Sequence, residues 1–207
     1  GVTLLNSQMF GMLVGGIAWG MLGDKRGRLS VLFGSILLYS VANIANGFVT
    51  SVEAYAILRF IAGFGLAGEL GAAITLVSEV LPKEIRGYGT GIVAGIGLSG
   101  AVAAGLTGDY LDWRTAYIVG GCMGLALLVL RMGIFESGLY LSSKMADARR
   151  GDLSLFLQQP KRLLKFFSCI GIGIPVWCVV GVIMSFAPEF AVALNIQGPV
   201  TSGSAIL

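Results

Sequence analysis

One short charged segment between two long uncharged runs constrains the fold of this chain most strongly. Residues 20–28 have the sequence Gly-Met-Leu-Gly-Asp-Lys-Arg-Gly-Arg. The charges of this segment begin at Asp24, and no Asp, Glu, Lys or Arg occurs in residues 1–23 or in residues 29–52. Each run exceeds the roughly 20 apolar residues that cross a bilayer core of about 30 Å. We therefore expect the charged segment to lie at one face of a membrane.

The composition of the whole chain agrees with a membrane protein. Hydrophobic residues make up 56% of the 207 residues and charged residues only 12%, whereas soluble domains carry about 25% charged residues. The 32 glycines fit as well, because glycine is commoner in membrane-spanning helices than in soluble ones. The first run is too long for a signal peptide and lacks a basic flank. A soluble globular fold is therefore excluded.

Hydropathy and flanking charge predict six spans. Backbone groups in lipid must be satisfied within the segment, so runs of this length predict helices. A barrel would need strands of about ten alternating residues, and no such alternation occurs. The prediction is an all-α integral membrane bundle, with spans at Leu4–Leu22, Val31–Phe48, Ala54–Leu81, Tyr88–Gly108, Thr115–Phe135 and Phe166–Pro188.

The basic residues predict the orientation of these spans. All of the 14 Lys and Arg residues except Arg59 and Arg114 fall at span ends or loops on one side of the predicted membrane. Short cytoplasmic loops carry an excess of Lys and Arg. We therefore expect the 20–28 segment and the polar linker at 136–165 to be cytoplasmic.

An internal repeat is also visible. When each residue is compared with the one 85 positions later, three glycines match glycines and Asp24 matches Asp109. Three predicted spans separate the copies, so the copies lie on opposite faces of the membrane. Inverted repeats of three helices are typical of secondary transporters. The matching glycine pairs are Gly15 with Gly100, Gly20 with Gly105, and Gly23 with Gly108.

Four motifs, in order, resemble those of the major facilitator superfamily. The 20–28 segment is similar to the family's signature loop between helices two and three, and Arg59-Phe-Ile-Ala-Gly-Phe-Gly to the arginine motif of its fourth helix. Glu79 with Arg86, and Phe135-Glu136-Ser137, are similar to marks of the branch of sugar porters and metabolite–proton symporters. Gly138 and Leu139 depart from that pattern, since many sugar porters have Pro-Arg there.

The resemblance places the six spans as the family's helices two to seven, and the chain starts without methionine inside a hydrophobic run. We therefore expect a piece of a larger protein. The predicted domains are an N-terminal bundle at 1–137 without its first helix, a cytoplasmic linker at 138–165 with amphipathic surface helices, and the start of a second bundle at 166–207. Pro160 is expected to interrupt the linker helices before the last span.

A charge network is predicted at the cytoplasmic face. Arg28 and Arg86 can fork onto Glu79 and Glu136, and Asp24 can accept bonds at a helix N-terminus. The resemblance implies that this network latches the outward-facing state. The alternative is a set of screened surface pairs worth about 0–1 kcal/mol each. The predicted gating residues are Gly20, Asp24, Gly27, Arg28, Glu79, Arg86 and Glu136.

Two charges lie within one predicted span. Glu69 is about 20 Å along the third span from its outer start, and a charge near the bilayer centre marks a functional site by default. Low dielectric disfavours the charged carboxylate, so Glu69 is predicted to couple protons or to contact substrate. Arg59 is predicted to be its partner or a charge on the substrate side. The alternative is a structural bond between helices, and Trp177 is a further candidate for a cavity lining.

The function predicted from these features is secondary active transport of a small organic solute by alternating access with proton symport. A uniporter, a drug or metabolite exporter, and a non-transporting membrane sensor remain alternatives. An enzyme is not expected, because the chain has no histidine and its three cysteines lack metal-ligand spacing. No cofactor or metal is predicted. The expected partners are solute, protons and lipid, with a monomeric protein in the bacterial inner membrane and no nucleic acid.

Overall fold

The computed structural model describes residues 2–131, 160–184 and 186–195. Within them all regular structure is helical. The described residues form two compact units, one of 2–94 with 112–131 and one of 95–111 with the described residues from 160 onward. The elements are α1 (Val2–Arg26), α2 (Arg28–Asn46), α3 (Val52–Val80), α4 (Arg86–Tyr110), α5 (Trp113–Leu130), α6 (Pro160–Cys178), a π-helical segment (Val179–Met184) and α7 (Ala187–Ala193).

Local sequence explains where the helices of the first unit begin and end. Gly27, with φ of 102°, separates α1 from α2, and a side chain at that φ would be strained. The Ser51 hydroxyl caps α3 by accepting from the Ala54 N–H at 3.2 Å. Leu81 is extended after the last residue of α3, because it precedes Pro82 and proline disfavours helical geometry before it.

The packing of α1 on α3 depends on glycine. A Cβ at Gly11 would collide with the backbone oxygen of Phe60, and one at Gly63 with the backbone oxygen of Gln8. Such close backbone approach is the ordinary use of small residues between membrane helices. A polar bond supplements it: the Trp19 indole N–H donates to the Phe64 carbonyl at 2.8 Å.

α2 lies between α3 and α5 and completes the bundle of the first unit. Val31 and Leu32 of α2 are buried against Ala72 of α3. On the other side, Gly121 and Gly124 of α5 leave room for side chains of α2, because a Cβ at either position would collide with them. The result is a tightly joined set of four helices.

Four described helices are long and apolar enough to cross a membrane: α2, α3, residues Arg86–Gly105 of α4, and α5. Many of their large apolar side chains are exposed, for example Leu37, Ile57, Ile92 and Met123. Exposed apolar surface of this extent is unfavourable in water and favourable against lipid. The first predicted span lies within α1, which continues past its predicted end at Leu22 to Arg26.

The predicted sixth span needs correction in the second unit. One helix was expected over Phe166–Pro188, but α6 begins at Pro160 and gives way to a π-helical segment at Val179, and a new helix begins at Ala187. Proline suits the first turn of a helix because its missing N–H would have no partner there. Pro175 lies inside α6, where it removes a helical hydrogen bond.

Two further predictions stay predictions. Residues 132–159, which include most of the linker, lie outside the described residues. The glycines of the proposed repeat lie on α1 and α4, but their equivalence rests on sequence alone.

Candidate transport site

Arg59 is the centre of a polar cluster inside the first unit. It lies in the second turn of α3, and only 8% of the residue is exposed. Its Nη1 donates to Gln8 Oε1 of α1 at 3.2 Å, and its Nη2 donates to Asn43 Oδ1 of α2 at 2.6 Å. The guanidinium is therefore held by neutral oxygen atoms from the two neighbouring helices.

Aromatic rings cover the other side of this guanidinium. Its carbon lies 4.3 Å from the ring centroid of Tyr117 on α5 and 5.7 Å from that of Tyr55, within cation–π range. The two phenol hydroxyls are 2.7 Å apart, and Trp113 stands edge-on to both rings. α5 thus closes the cluster with rings rather than with charge.

A cavity of about 240 Å³ opens beside Arg59. Its wall includes Gln8, Asn43 and Tyr117, together with Tyr39, Ala62, Leu66, Ala116 and Gly120. The Arg59 Nε atom is buried and has no hydrogen-bond partner among the described residues. An arginine has five N–H donors, so this one retains capacity for a ligand with two acceptor oxygens.

Glu69 lies deeper along α3, and its partner differs from the one predicted. Glu69 Oε1 is 3.1 Å from Nη2 of Arg131, at the end of α5. Two roles were predicted for Arg59, a partner of Glu69 or a charge on the substrate side, and the described contacts do not include the first. Ten residues along a helix separate Arg59 from Glu69 by about 15 Å. Arg59 binds Gln8 and Asn43 instead.

The charge cluster that was predicted for the cytoplasmic face centres on Arg28. Its Nη1 is 2.6 Å from Asp24 Oδ1, one helical turn earlier, and its Nη2 is 3.1 Å from Glu79 Oε1 of α3. The predicted Arg28–Glu79 pair is therefore present. Asp24 pairs with Arg28 rather than capping a neighbouring helix. Gly23 makes room for this, because a Cβ there would lie 3.1 Å from Arg28 Nη1.

Sequence comparison decides the family. Residues 2–207 match the profile of the Major Facilitator Superfamily. The chain belongs to the major facilitator superfamily. It shares 35% identity over 155 residues with a Bacillus subtilis (strain 168) protein, whose name assigns it provisionally as the niacin/nicotinamide transporter NiaP. It shares 30% identity over 148 residues with the 4-hydroxybenzoate transporter PcaK of Pseudomonas putida.

The aligned regions cover 72% and 67% of this chain but only 39% and 32% of those two relatives. A solved structure of the Escherichia coli xylose transporter XylE, in an inward-open conformation, matches with a TM-score of 0.62 at 18% identity. That match covers 90% of this chain and 49% of XylE, and it supports the fold alone. The superfamily assignment makes this an all-α, multi-pass membrane protein from a class of transporters rather than of enzymes.

The structure accounts for some of the predicted motif residues and not for others. The Arg86 Nε donates to the Leu81 carbonyl at 2.9 Å, a contact within its own segment that differs from the predicted forks onto carboxylates. Gly20 has open space where a Cβ would stand, so the structure gives no reason for glycine there. Glu136 lies outside the described residues, as does the Trp177 side chain.

Sequence reasoning missed several residues of the cluster. Gln8 and Asn43 are two of the four amide side chains in the apolar helices α1 and α2, the others being Asn6 and Asn46. A polar group buried in such a helix needs a partner, so this small set could have pointed to them. Tyr117 gave no signal, because an aromatic residue is unremarkable in a membrane helix. Sequence reasoning also missed Arg131 as the partner of Glu69, because Arg131 follows an apolar run and was assigned to the basic residues of the cytoplasmic side.

Proposed function

We propose that the complete protein containing this chain is a secondary active transporter that moves a small organic carboxylate by alternating access, together with protons. The observation that supports this most directly is the buried Arg59 guanidinium beside a cavity, with neutral partners on one side and aromatic rings on the other. An unpaired charge in lipid is costly, so a site of this kind favours an anionic ligand.

The shape of the cluster favours a carboxylate attached to a ring. Guanidinium groups bind carboxylates with two parallel hydrogen bonds, and the aromatic side chains of Tyr39 and Tyr117 line the cavity, where the ring of a solute can pack against them. Relatives are named as transporters of niacin, 4-hydroxybenzoate and 3-(3-hydroxyphenyl)propionate. Each of those named solutes carries one carboxyl group on or near an aromatic ring.

Glu69 is our candidate for proton coupling. It is a carboxylate within the spanning helix α3, ten residues along the helix from Arg59, and its side chain is only 17% exposed. A carboxylate that exchanges its proton as the cavity alternates would link solute movement to the proton gradient. Arg59 would then serve the solute and Glu69 the proton.

The Arg28 cluster is our candidate for the cytoplasmic latch. The pairs from Arg28 to Asp24 and Glu79 would hold the cytoplasmic ends of α1, α2 and α3 together while the outside is open. This proposal places residues 20–28 and 136–165 in the cytoplasm, in a monomeric carrier of the bacterial inner membrane. The Lys25→Cys variant tests this orientation with a thiol reagent that does not cross the membrane. Labelling in right-side-out vesicles only after the inner side is made accessible would support the orientation, and labelling from outside would contradict it.

The experiment is counterflow of labelled solute in proteoliposomes that contain the complete protein. Nicotinate and nicotinamide are matched probes, because they share a ring and differ in the negative charge. We expect exchange of nicotinate, and a loss of about 10- to 100-fold in Arg59→Gln, as expected for a charge-assisted hydrogen bond. Arg59→Lys should retain part of the activity.

Other outcomes would favour the alternatives. Equal exchange of the neutral amide and the acid would contradict a carboxylate site. Specific binding of nicotinate without any counterflow would favour a membrane sensor. Counterflow that is unaffected by a proton gradient in every condition would favour a uniporter.

A further inference from the structure

The Glu69–Arg131 ion pair lies apart from the Arg28 cluster and joins the interior of α3 to the C-terminal end of α5. Glu69 is 11 residues before the end of α3 at Val80, or about 16 Å along the axis. The side chains of Glu69 and Arg131 are 17% and 23% exposed. Two charges so enclosed cost free energy to desolvate, and each depends on the other for compensation.

The pair is a second direct contact between α3 and α5, which also meet at the Arg59 cluster through Tyr55 and Tyr117. α3 and α5 each pack on α2, whereas Arg131 stands at the C-terminal end of α5 and reaches Glu69 of α3 directly. The backbone N–H of Arg131 closes α5 on the Leu127 carbonyl. Its Nη1 is buried and has no hydrogen-bond partner among the described residues, so the guanidinium is held on one side only.

Tyr39 connects this pair to the Arg59 cavity. Tyr39 lines that cavity, and its hydroxyl lies near enough to Glu69 and Arg131 for electrostatic interaction with both. A Cβ at Gly124 would lie 3.2 Å from the same hydroxyl, so α5 has no side chain where Tyr39 passes. One phenol therefore borders both the proposed solute site and the ion pair.

The groups that face Glu69 are few. α2 contributes Tyr39, and α5 contributes Arg131. α1 has no titratable side chain between Val2 and Gly23. On α3 itself the nearest charges are Arg59 and Glu79, each ten residues away. Arg131 is therefore the charged group in contact with Glu69 among the described residues.

We propose that Arg131 is a positioning residue for proton coupling: it holds Glu69 in place as a carboxylate, and uptake of a proton by Glu69 releases the end of α5 from α3. The proton comes from water in the open cavity and bonds to a carboxylate oxygen of Glu69. Arg131 keeps its own charge and turns to water or to carbonyls at the end of α5. Tyr39 transmits the change to the solute cavity. This inference rests on the proposed function.

The test separates exchange from accumulation, measured on the complete protein in proteoliposomes with labelled nicotinate. Counterflow needs only alternating access, whereas accumulation against a gradient also needs coupling to protons. We expect Arg131→Gln to retain counterflow and to lose proton-driven accumulation by at least about tenfold. Arg131→Lys should restore part of the accumulation, and Arg162→Gln, at an exposed arginine of α6, should leave both unchanged.

A double exchange, Glu69→Arg with Arg131→Glu, keeps the inference falsifiable if Arg131→Gln does not fold. We expect the exchange to restore folded yield and counterflow without accumulation, because the carboxylate then stands on α5, displaced from the position that Tyr39 faces. Restoration of accumulation as well would overturn the inference and leave only a structural pair. Wild-type accumulation in Arg131→Gln would also overturn it. Absence of accumulation in the wild type would instead contradict the proposed function.

Discussion

At the scale of single residues, Arg28 joins three helices at one point. It holds Asp24 of α1 and Glu79 of α3 while standing in the first turn of α2, and the side chains of Arg28 and Glu79 are each 18% exposed. A pair enclosed to this degree is screened less than a surface pair. We expect the Arg28–Glu79 coupling to contribute about 1–2 kcal/mol to the free energy of unfolding.

A double-mutant cycle of Arg28→Gln and Glu79→Gln, followed by unfolding in detergent, measures this coupling. Arg26→Gln is the control, because Arg26 is an exposed neighbour of the same charge and should change stability little. Additive effects of the two substitutions would mean that the pair contributes nothing and that the latch lacks its central contact.

At this scale the sequence indicated the two charged residues within the third span, but it did not identify all the residues that contact them. Arg59 and Glu69 are conspicuous because lipid makes every charge within a span expensive. Their partners are less so, since Tyr117 binds through a ring face and Arg131 stands at the end of an apolar run. Partnership depends on the rotation of each helix about its axis, and hydropathy does not determine that rotation.

At the scale of helices, the α1–α3 contact depends on particular glycines. A Cβ at Gly15 would lie 2.8 Å from the Phe64 Cα, whereas at the adjacent Gly16 nothing lies within 4 Å. We expect Gly15→Ala to lower the folded yield and thermal stability in detergent. Gly16→Ala is the matched control and should be neutral or stabilising, because alanine favours a helix over glycine by up to about 1 kcal/mol.

Equal effects of the two substitutions would contradict this account of the packing. Unequal effects would also explain what sequence could predict of the helices. Small residues four apart permit close packing and occur at both Gly11/Gly15 and Gly16/Gly20, but open space surrounds a Cβ at Gly16 and Gly20. The pattern indicates that a helix can approach another, and the partner's backbone decides which face it uses.

Helix ends were harder to predict than helix centres. Charge was taken to end the first span at Leu22, yet α1 continues through Asp24, Lys25 and Arg26 to the glycine at 27. A helix ends where the backbone requires it, whereas charge marks only where lipid ends. The same reason applies to α6, which begins at Pro160 within the predicted linker.

At the scale of the whole molecule, hydropathy predicted a multi-pass helical membrane protein, and the superfamily match confirms this. This level is the most predictable, because the bilayer imposes the same requirement on every spanning residue. The solute is the least predictable, since it depends on a few side chains around Arg59 and on parts of the protein beyond this chain's share of its relatives.

The central claim is that solute and protons move together, and the pH outside proteoliposomes tests it most directly. The complete protein is reconstituted in lightly buffered vesicles, and nicotinate is added outside without a pre-existing gradient. We expect the external medium to become more alkaline as labelled nicotinate enters, with no such change after addition of nicotinamide or in Glu69→Gln. Entry of labelled nicotinate at constant external pH would contradict proton-coupled transport.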